Sequence, residues 1–144
     1  MKLPYEFNYY INKKIVRKIT PDFSRSEFLM DESRKSYEGL KRVILKIGID
    51  KLNANLIIKE TYDIIMRTIR SKMLAKGFNS SGNYAHEAEI PYMKIIGFDN
   101  KKIGFVNVFR AARNGINYYG KGYNVEYAKE CWNFLKKNHL DFLK

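Results

Sequence analysis

Apolar residues recur at three- and four-residue steps along most of the chain, and the breaks fall at glycine, proline or capping residues. In the first such stretch Leu29, Ser33, Tyr37, Leu40, Ile44 and Ile47 share one side of a helix. Ser24-Arg25-Ser26-Glu27 reads as a capping box at its start, with Phe23 and Phe28 as a hydrophobic staple, and Gly48 closes it. The longest periodic run, residues 53–76, aligns Ile58, Tyr62, Ile65, Ile69 and Met73, with Ile57 and Ile64 beside them. Gly77 stops it. Its acids Glu60 and Asp63 precede Arg67, Arg70, Lys72 and Lys76, an order that suits the helix dipole and also offers a basic surface. Met66, Met73 and Met93 read as core fillers.

The run Gly77-Phe78-Asn79-Ser80-Ser81-Gly82-Asn83 reads as a loop, hinge or lid. A shorter helix follows from His86 to Ile96, with Pro91 either in its first turn or at a kink, and Gly97 ends it. Residues 100–119 place Phe105, Phe109, Ala112, Ile116 and Tyr119 in a core stripe, and Asn124 caps a last helix that buries Val125, Ala128, Trp132 and Leu135. Residues 1–22, marked by Pro4 and Pro21, have no helical spacing and read as an extended N-terminal arm. The pattern predicts an all-α protein: an antiparallel bundle of four to five helices in a single domain, 23–144.

Composition supports a packed core, since 45% of the 144 residues are apolar and 15% aromatic. A formal net charge of +12, spread along the chain rather than gathered in a tail, favours a phosphate-bearing partner, though basic surfaces also serve solubility. The single cysteine, Cys131, excludes an internal disulfide framework and a multi-cysteine zinc site, and reads as a packed thiol. No metal-ligand spacing and no phosphate loop occur, so neither metal nor cofactor is expected. The absence of a membrane-length apolar run leads us to expect a cytoplasmic protein.

Beside the core stripe of residues 100–119 runs a polar one: Arg110, Arg113, Asn114, Asn117 and Lys121, next to Tyr118 and Tyr119. Guanidinium forks, amides and aromatic faces are the groups that hold a phosphate backbone and an unstacked base. The plainer alternative is a solvated helix face. His86, beside Glu87 and Glu89, is a secondary candidate whose pKa a carboxylate contact would raise, the alternative being local packing. His139, near the C-terminus, reads as inert.

The run from Phe105 to Gly120, ending Arg113-Asn114-Gly115-Ile116-Asn117-Tyr118-Tyr119-Gly120, resembles the signature helix of the HEPN superfamily. The central helix and the loop leading to Tyr84-Ala85-His86-Glu87-Ala88 extend the likeness over nearly the whole chain. The resemblance implies a dimeric helical bundle tied to RNA cleavage or toxin–antitoxin systems, often beside a nucleotidyltransferase partner. Catalytic members carry His at the position that is 118, 119 or 120 here, counted from Arg113; this chain has Tyr118, Tyr119 and Gly120. A phenol with pKa about 10 is a poor general base where an imidazole near about 6.5 is a good one. The expectation is therefore a homodimer that binds RNA or a nucleotide without robust catalysis. Alternatives are a metal-independent ribonuclease using Arg113 with Tyr118 or His86, and a regulatory partner of a nucleotidyltransferase or toxin.

Overall fold

The computed structural model describes residues 2–120 and 122–144, leaving aside the side chains of Tyr118 and Tyr119. In chain order it contains α1 (Phe7–Asn12), β1 (Val16–Lys18), α2 (Phe23–Ile47), α3 (Ala54–Ala75), β2 (Phe78–Ser80), α4 (Ala85–Glu89), α5 (Tyr92–Ile95), α6 (Asn100–Tyr119) and α7 (Val125–Leu143). Four long helices carry most of the chain, so the helical class expected from the sequence holds.

α3 lies at the centre. Ile57, Ile58, Tyr62, Ile64, Ile65, Met66, Ile69, Met73 and Leu74 are all buried, which takes in more than one side of the helix and requires neighbours around it. α2 runs antiparallel to α3 after the turn at Gly48, whose φ of +84° ends the helix. In that turn the Asp50 carboxylate accepts from the backbone N–H groups of Leu52 and Asn53, while the Asn53 side chain donates to the Gly48 carbonyl at 2.8 Å. Two hydroxyl pairs bind the helices along their length: Ser33 with Thr68 at 2.6 Å and Ser26 with Ser71 at 3.1 Å. Small side chains there let the backbones approach, and each hydroxyl also finds a carbonyl across the interface or within α3. α7 adds Trp132, whose ring lies 5.3 Å from that of Tyr37 on α2, while His139 stacks on Tyr37 at 3.5 Å. α7 also packs on α3, and aromatic contacts tie it to the α6 segment: Phe98, just before α6, lies on Phe142, and Phe105 of α6 stacks on Phe134.

Four details differ from the sequence reading. The segment expected as an extended arm holds α1 and β1, and Phe7, Tyr10 and Val16 join the core. The supposed loop after Gly77 contains β2, which pairs antiparallel with β1 in the register Val16↔Ser80, Arg17↔Asn79 and Lys18↔Phe78. Gly77 is needed there, because a Cβ would meet the Ile19 carbonyl at 2.6 Å and φ is +83°. α2 begins two residues earlier than a Ser24 cap requires: Asp22 is the N-cap, accepting from the Arg25 N–H, and its own N–H donates to the Leu74 carbonyl. That contact with the end of α3 fixes the start, and Phe23 and Phe28 face outward, each more than 60% exposed, instead of stapling. Finally, Pro91 is the N-cap of a separate turn, so the helix expected over 86–96 is divided into α4 and α5.

Caps at Asp99 and Asn124 hold α6 and α7 at their starts; each side chain accepts from the backbone N–H three residues on. No described helix is long and apolar enough to cross a membrane.

Candidate functional site

α6 brings Arg110 and Arg113 one turn apart onto the side that faces α3 and α4, so both guanidiniums enter the bundle rather than solvent. Arg113 Nη2 lies 3.5 Å from Asp63 Oδ1 on α3, and Arg110 Nη2 lies 3.6 Å from Glu87 Oε1 on α4. These side chains are only 18% and 24% exposed, yet the Nε–H of each is buried without a partner. Long ion pairs and unspent donors together leave the two arginines incompletely satisfied.

Tyr62 of α3 stands between the arginines and His86. The Arg113 guanidinium is 5.8 Å from the centre of the Tyr62 ring, and the Tyr62 hydroxyl is 3.4 Å from His86 Nδ1. Burial raises the Tyr62 phenol well above its ordinary value, so it stays protonated. His86 corrects the sequence expectation: burial lowers its pKa and outweighs the opposing field of Glu89, so the imidazole is neutral at pH 7.

Below this group lies a carboxylate that sequence reasoning had assigned no role of its own. Glu89 is fully buried and accepts from Arg70 Nε and Nη2 at 2.8 Å each, with the Ser80 hydroxyl as a third donor. The β1–β2 pairing is what delivers Ser80. Its sequence signal is an acid set in the apolar run Ala88-Glu89-Ile90, where an unpaired charge is untenable. Arg70 therefore supplies no free basic surface, and Arg67 is likewise engaged, with Ser36 at 2.9 Å and Glu60 at 3.5 Å.

Of the residues singled out from the sequence, the fold gathers Arg110, Arg113 and His86. Asn114 is half-buried beside them and Asn117 is exposed, a turn further out. The side chains of Tyr118 and Tyr119, and Lys121 altogether, lie outside the described residues. His139 is not a frayed tail residue: its ring is held against Tyr37, and burial lowers its pKa. Cys131 is buried and its thiol is pushed up to about 12 by that burial, which makes it unreactive.

The cluster opposes Arg70, Arg110 and Arg113 to Asp63, Glu87 and Glu89, so its formal charges balance. The net +12 of the chain resides elsewhere on the surface. Among the described residues, no group of three or more His, Cys, Asp or Glu side chains is arranged to hold a metal ion. Chemically the site offers guanidinium donors, a neutral imidazole, a protonated phenol and carboxylate acceptors. Comparison with family models, curated proteins and solved structures gave no match.

Proposed function

We propose that the chain is a HEPN-like RNA- or nucleotide-binding protein, acting as a homodimer, that contacts its ligand through Arg110, Arg113, Asn114 and Asn117 and does not cleave RNA robustly. The observation that carries this reading is the state of Arg110 and Arg113: two guanidiniums preset on one helix face, each loosely paired and with an unspent Nε–H. A phosphate offers them short, charge-assisted, forked hydrogen bonds that the carboxylates 3.5–3.6 Å away do not provide. The net charge of +12 draws a polyanion toward the chain without supplying selectivity. Tyr118, Tyr119 and Lys121 belong to the proposed surface by their place in the sequence, and Tyr118 at the motif position lacks the acidity for proton transfer at neutral pH.

A second reading, a metal-independent ribonuclease, is favoured by one arrangement: His86 is neutral and shares Tyr62 with Arg113, which puts a base and a phosphorane-stabilising cation in one cluster. One titration separates the two. With EDTA present, the wild type should bind single-stranded RNA and leave it intact, and Arg113→Ala should weaken binding about tenfold, the worth of one charge-assisted contact. Cleavage that vanishes in both Arg113→Ala and His86→Ala establishes the ribonuclease instead. Weak, uniform and steeply salt-dependent binding that ignores Arg113 points to a protein partner, such as a nucleotidyltransferase.

A further inference from the structure

α1 is anchored on one side and bare on the other. Phe7 and Tyr10 are buried, and the Phe7 ring makes edge contacts with Phe78 and Tyr92 at 5.3 and 5.0 Å. Tyr5, just before α1, and Tyr9, four residues on, turn away from that anchor. Their rings stack on each other at 4.2 Å with 28° between the planes, and the residues are 63% and 38% exposed. Tyr9 covers one face of the Tyr5 ring, so an exposure of 63% leaves the opposite face open to solvent. Tyr9 is steadied in turn by an edge contact with Tyr10 at 5.1 Å. The result is a preformed stack of two rings, held from the core side, with an outer aromatic face that nothing in the chain covers.

Cations surround this stack. Lys13 Nζ lies 5.8 Å from the centre of the Tyr9 ring. Lys14, next to it, holds a φ of +61°, a backbone conformation in which Gly or Asn is the less costly residue, so the turn after α1 carries an exposed lysine against local preference. Lys2, Arg17 and Lys18 are exposed as well, whereas the one acid of residues 2–20, Glu6, is engaged by Lys94 at 3.2 Å. The Lys2 carbonyl accepts from the Asn107 amide, which ties the segment to α6. Tyr5 thereby borders the open cleft whose other wall includes Val108 and Ala111, and the stack lies beside the part of α6 that bears Arg110.

An open aromatic face amid ammonium groups suits a planar ring that carries phosphates. Among nucleic acids only a single strand offers one, because the bases of a duplex are stacked on each other and present no more than their edges. We propose that Tyr5 and Tyr9 form a stacking platform for an unpaired base, with Lys13 and Lys14 holding the neighbouring phosphates, so that the chain selects single-stranded over double-stranded RNA. The inference rests on the RNA-binding reading and deepens it, naming the form of the RNA and a contact surface outside the α6 stripe.

The test is fluorescence anisotropy on the full chain with three labelled probes of equal length: a single-stranded oligouridylate, the same phosphate chain with abasic sites in place of its bases, and a blunt RNA duplex. Oligouridylate should bind tightest. Tyr5→Ala should weaken it about tenfold, the worth of one stacked base, and leave the abasic chain and the duplex unaffected. Tyr5→Phe keeps the ring and should keep the wild-type affinity. Replacing Lys13 and Lys14 by Gln together should weaken all three probes and flatten the salt dependence. These side chains are exposed, so thermal unfolding of each variant should match that of the wild type. Oligouridylate binding that is indifferent to Tyr5→Ala, an equal loss on the abasic chain, or a duplex bound as tightly as the single strand overturns the platform. So does Tyr5-dependent binding to vesicles of anionic phospholipid by a chain that binds no RNA. Arg113→Ala keeps the two readings apart. Oligouridylate binding that needs Arg113 but not Tyr5 leaves the RNA reading standing without the platform; binding that needs Tyr5 but not Arg113 leaves the platform and removes the arginine face.

Discussion

The central helix α3 meets two kinds of neighbour. Toward α2 it presents Thr68 and Ser71, whose hydroxyls bond to hydroxyls and carbonyls at 2.6–3.2 Å, while the Thr61 hydroxyl on the same line of the helix is buried without a partner. Toward α4 and α6 it presents Asp63, Tyr62 and Arg70 to a set of charges, some tightly locked and some loosely held. The α2 side is held mostly by neutral hydroxyl bonds, although Thr61 Oγ1 and, on α7, His139 Nε2 are buried without partners. The other retains polar groups whose full satisfaction needs something more, and those groups are where a ligand gains most. The contrast teaches that neither burial nor a missing partner marks a site by itself; what sets the α4–α6 side apart is charged groups held at 3.5–3.6 Å within burial.

The largest test of that contrast is Glu89→Ala. It strands Arg70 and Ser80 together, and the loss should be about 3 kcal/mol, read from the urea midpoint. A loss no greater than that of an exposed ion pair would place Glu89 with the loosely held charges. Ser33→Ala on the opposite face removes one partner of a 2.6 Å bond and leaves Thr68 its carbonyl at 3.0 Å, so the expected loss is smaller, about 1 kcal/mol.

The smallest effect concerns pH. Each half holds one histidine, His86 or His139, whose pKa is lowered in the folded chain by burial. The unfolded chain therefore binds protons first as pH falls. Stability from this source is present above about pH 6.5 and is lost as pH drops through the folded values. Urea midpoints between pH 7.5 and 5 should decline, and His86→Gln and His139→Phe should each remove part of that slope. An unchanged slope in one variant identifies the half that does not sense pH.

Much of the fold was legible because long amphipathic helices repeat their signal over many turns. The α2 stripe through Ser33, Tyr37 and Leu40, one apolar face of α3, and the ends at Gly48 and Asn124 followed from spacing and capping chemistry, whereas Ile47, read into the α2 stripe, is 68% exposed and α3 is buried on more than the one face. The N-terminal helix and the two strands did not. Three-residue strands are too short to show a period of two, and what pairs Val16 with Ser80 is a contact between segments more than sixty residues apart. The helix start moved from Ser24 to Asp22 for the same reason, since the deciding bond goes to Leu74.

The site divided along similar lines. Arg110 and Arg113 were found by their spacing on one helix, but that spacing was silent about Asp63 and Glu87, which come from other elements. The direction of the His86 shift depended on how deeply α4 is covered, a property of the whole packing. Glu89 left a local trace, an acid among apolar residues, that a pattern search for exposed cations passes over.

Trp132, the sole tryptophan, sits against Tyr37 on the hydroxyl-bonded side of the bundle and is 4% exposed. Its emission is thus a built-in optical reporter of one half of the molecule and is blind to the other. Loosening of α4, β2 and the residues around Arg110 would proceed without a change in its colour, while far-ultraviolet dichroism or amide exchange would register it. Coincident curves from these probes would show that the charged side opens only with the whole; separated curves would show that it opens alone.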